Sequence, residues 1–176
     1  MNSSKTNKIS YDFLSGIGFD VHALKLLDYD HHMMLCGVKI PTQYQLIAHS
    51  DGDVALHALV DAMLGAIGAG DIGEHFPPSD LQWQNADSSQ FVLHALQLCH
   101  DKNAVLVNVD ITVIGEHPKI TPYKSLMKEK LVELLQLNPE RINIKATTTE
   151  KLGFLGRSEG IAAQAIVSVK IPQKIA

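Results

Sequence analysis

Three side chains in the first third of the chain have the types and spacing to hold a metal ion. Asp20 and His22 stand two apart in Gly18-Phe19-Asp20-Val21-His22. Strand side chains alternate, so in an extended chain these two point to the same side. His57 closes the run Ala48-His49-Ser50-Asp51-Gly52-Asp53-Val54-Ala55-Leu56-His57, which reads as a loop feeding a helix. One carboxylate and two imidazoles suit zinc and leave a fourth coordination position for a substrate oxygen. An Asp-x-His tripeptide alone is more often the plain end of a strand. Its conjunction with the His57 run favours the metal.

Three further stretches suit an anionic or hydroxylated ligand. Asp71-Ile72-Gly73 follows a glycine-rich helix exit at Gly65, Gly68 and Gly70, where backbone can approach a ligand and Asp71 can accept two sugar hydroxyls. A helix end with an Asx turn explains the same residues equally well. Ala146-Thr147-Thr148-Thr149-Glu150-Lys151-Leu152-Gly153-Phe154, with Gly156-Arg157 after it, places hydroxyls and N–H groups at a strand end, where phosphate oxygens fit. There Glu150 suits a second, harder cation, and Lys151 and Arg157, with Lys119, balance negative charge. The dull alternative is that threonine favours strands. Gly115-Glu116-His117-Pro118-Lys119-Ile120-Thr121 leads into a helix start, which can receive an anion or a base edge through its backbone; taken alone, a plain connecting loop with its cap is the stronger reading. His31, His32, His94 and His100 read as ordinary loop and helix residues, and Cys36 and Cys99 as small buried ones.

The elements that must position these groups follow from periodicity. Tyr11–His22 reads as a strand, Ala23–Met33 as a loop, and Met34–Ile40 as a short strand closed by Pro41. Ser50 is placed to cap a helix over the His49–Ala69 unit, in which Asp53, His57 and Asp61 lie roughly along one face beside an apolar side of Val54, Ala58, Ala62 and Met63. Glu74–Asn85 reads as a loop because its Pro77-Pro78 pair forbids regular structure. Asp87 or Ser88 opens a second helix to about His100, with Leu93, Ala95, Leu96 and Leu98 buried. Val105, Val107, Val109, Ile111 and Val113 alternate through a strand over Ala104–Gly115. Thr121-Pro122 starts a third helix through Leu137. Ile142–Thr148 and Ile161–Ile171 are strands, with a turn or short helix at Glu150–Gly156 between them. The expected fold is α/β (α+β): one mixed sheet of four-stranded type with helices on one face. Residues 1–14 are expected to be a flexible tail and 15–176 one domain.

Composition narrows the class. In 176 residues, 45% are apolar and 19% charged, which suits a globular domain. A net charge of −4 argues against a nucleic-acid surface. No apolar run is long enough to cross a bilayer, and two cysteines make no disulfide framework, so no membrane contact and a cytoplasmic location are expected. Nine histidines raise the expectation that a few bind metal.

Taken together, Gly18–His22, Ala48–His57, Gly70–Gly73 and Ala146–Gly153 resemble the 2-C-methyl-D-erythritol 2,4-cyclodiphosphate synthases, over nearly the whole chain from about Ser15 to Lys170. The resemblance implies a homotrimer whose sheets face the trimer centre and whose active sites lie between subunits. It implies zinc on Asp20, His22 and His57, and a second divalent cation, Mg2+ or Mn2+, helped by Glu150. His49 and Thr148 match transition-state contacts. Ser50, Asp71, Ile72 and Gly73 match substrate contacts, with Asp71 and Gly73 toward a ribose. Phe76, Pro77, Pro78, Ser79 and Asp80 match a loop over the methylerythritol end. Gly115, Glu116, His117, Pro118, Lys119, Ile120 and Thr121, with Thr147, Thr148, Thr149 and Glu150, match the cytidine and phosphate pocket, and Phe154 and Arg157 match further contacts.

The implied enzyme is a phosphorus–oxygen lyase. The 2-phosphate of 4-diphosphocytidyl-2-C-methyl-D-erythritol 2-phosphate attacks its own diphosphate and CMP leaves, so no protein nucleophile is needed. Two departures stand out. Ala23–Met33 is longer and more acidic than expected, and Gly115-Glu116-His117 replaces more apolar residues. Two rival readings are a zinc phosphohydrolase and a non-catalytic trimer that binds zinc and an isoprenoid-like or nucleotide ligand.

Overall fold

A computed structural model describes residues 10–48, 50–77 and 79–173. Five strands, β1 (Tyr11–Leu35), β2 (Val38–Ile47), β3 (Val105–Ile114), β4 (Ile142–Thr147) and β5 (Gly160–Pro172), form one sheet in the order β2-β1-β5-β3-β4. Only β3 and β4 run parallel; the other neighbours are antiparallel. The helices are α1 (Val54–Ala66), α2 (Ile72–His75), α3 (Ser89–Asp101), α4 (Lys124–Leu135) and α5 (Gly153–Gly156). The fold is therefore mixed α/β, and all five runs read as strands join one sheet, which corrects the expected sheet of four-stranded type.

The extra strand length lies in Ala23–Met33, expected to be a loop. Ala23–Leu26 pair with Ile47–Tyr44, and His31–Leu35 pair with Thr42–Val38. The register shifts between Leu26 and His31, so the acidic Asp28-Tyr29-Asp30 occupies an irregularity within a long hairpin. Pro41 does not end β2. An edge strand has no partner on one side, so the missing N–H costs nothing there. At the other end β1 begins at Tyr11, inside the stretch expected to be tail.

The core lies between the sheet and the helices. α1 packs on β1 and β5, and α3 packs on α1. α4 touches both β4 and β2, the two edge strands, so the sheet curls around the helix layer. Eleven of the thirteen residues of α1 are buried, which is why its sequence is apolar on nearly every side. In α3 the buried side is Phe91, Val92, Ala95 and Cys99, and Leu93 is exposed, which corrects the expected leucine face. In β3, Val109, Ile111 and Val113 face the core as their alternation predicts, but Leu106 replaces Val105 and Val107. A register irregularity between Leu106 and Asn108 inserts one residue and flips the faces before it.

Candidate metal centre and active site

β1 and α1 bring the three expected ligands together through glycine. Gly16, Gly18, Asp20 and His22 share the face of β1 that meets α1. A methyl group on Gly16 would lie 2.1 Å from the Ala62 carbonyl oxygen, so strand and helix touch backbone to backbone. Ala58, Ala62 and Ala66 keep the helix side equally thin. The strand therefore runs close beneath α1, and its Asp20-x-His22 end arrives under His57 in the helix's first turn.

There His57 Nδ1 lies 2.9 Å from Asp20 Oδ2 and 3.1 Å from His22 Nε2, and the Asp20–His22 distance is 3.0 Å. The ligand atoms of these three residues all lie within 4.8 Å of one another, and among the described residues they are the one such group. Ligands of a tetrahedral zinc with bonds of about 2.0–2.1 Å stand about 3.3 Å apart, so this triangle of two nitrogens and one oxygen fits. Burial pushes the Asp20 carboxyl up, but hydrogen bonds from His22 and His57 and their charge outweigh it and hold it well below the usual carboxylate range. The carboxylate therefore stays ionised, the form that ligates a metal. His22 and His57 open onto a cavity of about 160 Å³ lined also by Ser50, Ile72, Gly73, Phe76, Trp83 and Phe91.

The other side of His57 is also fixed. Its Nε2 lies 2.9 Å from Ser88 Oγ and 3.1 Å from Ser50 Oγ. Ser50 accepts the Gly52 N–H at 3.2 Å and does not cap α1. The cap is Asp53, whose carboxylate accepts the Leu56 N–H and, from the β1–β2 turn, the N–H groups of Cys36 and Gly37. Asp61 accepts the Ile72 N–H at 2.7 Å, which ties the Asp71 segment to α1. The polar line Asp53–His57–Asp61 is thus three separate fastenings, of which only His57 belongs to the Asp20–His22–His57 group.

Asp71 caps α2 by accepting the Glu74 N–H at 3.0 Å, the local alternative to a sugar contact, while Ile72 and Gly73 line the cavity. Phe76 is buried against Trp83 and Phe91. Asp80 caps a short turn at Leu81–Trp83. His49 and Pro78 lie outside the described residues. Trp83, Phe91, Ser88 and Asp51 were missed from sequence. Ser88 reads there only as a helix start, Trp83 falls in a stretch read as loop, and Phe91 is absent from the face expected to be buried.

A second pocket, of about 180 Å³, sits at the carboxyl ends of the parallel strands β3 and β4, where open α/β sheets commonly hold ligands. Gly115, Pro118, Lys119, Ile120, Thr121, Ala146, Thr147 and Thr148 line it. The Gly115 N–H donates to the Thr147 carbonyl, and Glu116 accepts the Lys151 N–H at 3.2 Å, so the two loops are bound to each other. Thr148 donates to Glu150 at 3.2 Å, and the Thr149 hydroxyl donates to the Leu152 carbonyl. His117 stacks on Tyr44 of β2, with ring centroids 5.2 Å apart. Phe154 packs at Gly160, and Arg157 forms an exposed two-point pair with Glu159 instead of standing free. No residue lines both pockets. Both cysteines are buried, and His31 and His32 stack on each other.

The domain is thus a sheet-and-helix fold with three side chains of metal-ligating type beside one pocket and a strand-end pocket apart from it. The sequence model of the YgbB family matches residues 13–170, and the chain belongs to that family. It is 54% identical over 159 residues to the 2-C-methyl-D-erythritol 2,4-cyclodiphosphate synthase of Xanthomonas campestris, covering 90% of this chain and 96% of that one. It is 52% identical over 171 residues to the bifunctional enzyme IspD/IspF of Bartonella bacilliformis, covering 97% of this chain. The chain spans about 42% of the length of that bifunctional relative. Among solved structures it matches IspF of Plasmodium falciparum in complex with CDP, with a TM-score of 0.79, 35% identity and coverage of 92% and 97%. No described helix is long and apolar enough to cross a membrane.

Proposed function

We propose that the chain converts 4-diphosphocytidyl-2-C-methyl-D-erythritol 2-phosphate into 2-C-methyl-D-erythritol 2,4-cyclodiphosphate and CMP, as a cytoplasmic phosphorus–oxygen lyase of the non-mevalonate route. The observation that carries this is the Asp20–His22–His57 triangle, whose two histidines line the apolar cavity of Ile72, Gly73 and Phe76. Zinc on the triangle, and Mg2+ or Mn2+ with help from Glu150, would supply positive charge beside the phosphates.

The chain's own residues then act by folding one flexible substrate back on itself. Ile72, Gly73, Phe76 and the 77–80 loop close over the methylerythritol end, with Asp71 and Gly73 toward the ribose. Gly115–Thr121 and Ala146–Thr148 receive the cytidine through backbone groups, and Thr147–Glu150 with Lys119 receive phosphate oxygens. His49 and Thr148 steady the reacting phosphate. The two pockets share no lining residue, which supports a site assembled from two subunits of a homotrimer. Phe13, Ile17 and Phe19 of β1, 70%, 62% and 55% exposed, with Ile166 beside Ile17, give that trimer an apolar sheet face to bury.

The test is to incubate metal-replete protein with the cytidyl substrate and follow CMP and the cyclic product by phosphorus NMR. Both should appear in equal amounts, and His57→Ala should lose zinc and nearly all turnover. CMP without the cyclic diphosphate would make the protein a hydrolase, and no turnover would make it a binding module.

A further inference from the structure

The residues behind His57 carry more than a helix start requires. Ser88 occupies the cap position of α3, where a serine hydroxyl ordinarily accepts a backbone N–H two or three residues on. Here it makes no such bond, and Asp87 takes the Ser89 N–H at 2.8 Å instead. Ser88 is also wholly buried, as is Asp53, and the two with His57, 8% exposed, are the buried polar side chains among the described residues.

Its hydroxyl has one hydrogen and two possible partners. Asp51 Oδ1 is in short contact with Ser88 Oγ, and Asp51 Oδ2 accepts the Ser88 N–H at 3.1 Å. A carboxylate can only accept, so the hydroxyl hydrogen goes to Asp51. The Ser88 oxygen then faces His57 Nε2, at 2.9 Å, as an acceptor, and Nε2 must carry the hydrogen. Ser50 Oγ, 3.1 Å away, shares it. With the hydrogen kept on Nε2, the hydrogen that Nδ1 shares with Asp20 is the one an ion would displace, leaving the Nδ1 lone pair to it between Asp20 and His22.

We propose that Ser88 and Asp51 are positioning residues of the metal centre: the chain Asp51–Ser88–His57 fixes the ring's orientation and directs the Nδ1 lone pair at the ion. The proposal rests on the metal assignment above. The chain is itself held in place. The Asp51 N–H donates to the Ala86 carbonyl at 3.1 Å, and Gly52, at φ +74°, lets the loop turn Ser50 and Asp51 back toward α1. Partners behind a ligating histidine characteristically alter metal affinity by about 10- to 100-fold.

The test measures zinc affinity of the full chain by competition with a chromophoric chelator, in wild type, Ser88→Ala, Ser88→Thr, Asp51→Asn and His57→Ala. Ser88→Ala should bind zinc about 10- to 100-fold more weakly while its circular dichroism is unchanged, and Ser88→Thr should recover most of the loss. Asp51→Asn is nearly isosteric and guards against a misfolded Ser88→Ala. Its amide can donate to Ser88, reverse the hydroxyl and weaken zinc binding similarly. Folded Ser88→Ala and Asp51→Asn with wild-type affinity would overturn the proposal. Equal binding by wild type and His57→Ala would overturn the metal assignment instead, so the two failures are distinguishable.

Discussion

Gly18 of β1 lies so close beneath Ala58 of α1 that a methyl group on it would stand 2.0 Å from the Ala58 carbonyl oxygen. The contact is backbone against backbone, so no rotamer change relieves it. Gly18→Ala must lift the helix away from the strand two residues before Asp20. We expect a loss of about 3 kcal/mol or more in urea unfolding, together with weakened zinc binding. A variant of wild-type stability would show that the two elements are not in contact.

Asp53 joins three segments through one carboxylate. Asp53→Ala leaves the N–H groups of Cys36, Gly37 and Leu56 without that acceptor, and should cost about 3–5 kcal/mol from the lost cap and the stranded donors. Burial pushes this carboxyl up against the lowering effect of those N–H groups. The folded state therefore holds the proton more tightly than the unfolded one. The contribution of Asp53 to stability is full below the unfolded value of about 3.9 and declines as pH rises to the raised folded value. Urea titrations at pH 4 and pH 7 should show the advantage of wild type over Asp53→Asn shrinking with pH, and a growing advantage would contradict this sign.

The two thiols should be silent in the native protein. Cys36 and Cys99 are both 0% exposed. Burial raises both, Cys99 to about 11 against a small opposing effect of Lys102, and the thiolate is the reactive form. Ellman's reagent at pH 8 should find no thiol before guanidinium and two after it. Rapid native labelling of either cysteine would refute their burial.

The apolar outer sheet face should be covered in solution. Sedimentation should give about three protomers per particle, and Ile17→Lys, which places a charge in the centre of that face, should yield monomers with little cyclising activity. Fully active monomers would rule out a site shared between subunits.

The meeting of Asp20, His22 and His57 was legible in the sequence because strand alternation and a helix start are local rules. Asp20 and His22 needed only a period of two, and His57 only its place in a helix. The strand-end pocket was legible in the same way, from turn-forming residues after two β-rich runs. The partners of His57 were not. Ser88 lies 31 residues beyond His57, and its role depends on Asp51, so no local pattern distinguishes it from an ordinary cap. The Ala23–Met33 stretch was misread because its acidic bulge hides two short alternating runs that only pairing with β2 reveals. The fate of Leu93 was missed because leucine on a helix is a weak marker of which side faces inward, whereas Phe91 and Cys99 mark it better.

The pairing of β1 with β5 joins Tyr11 to Pro172 and Ala23 to Gly160, contacts that span most of the chain. During synthesis the hairpin of β1 with β2 and its covering helix α1 emerge long before β5. Over that interval β1 has one edge unpaired, and Phe13, Ile17 and Phe19 lie on an unfinished sheet. Such distant pairing slows folding and leaves a sticky edge open to other nascent chains. The geometry that presses Asp20 and His22 under His57 is thus built from elements close in sequence, while the sheet that stiffens it is completed only by the last strand of the chain.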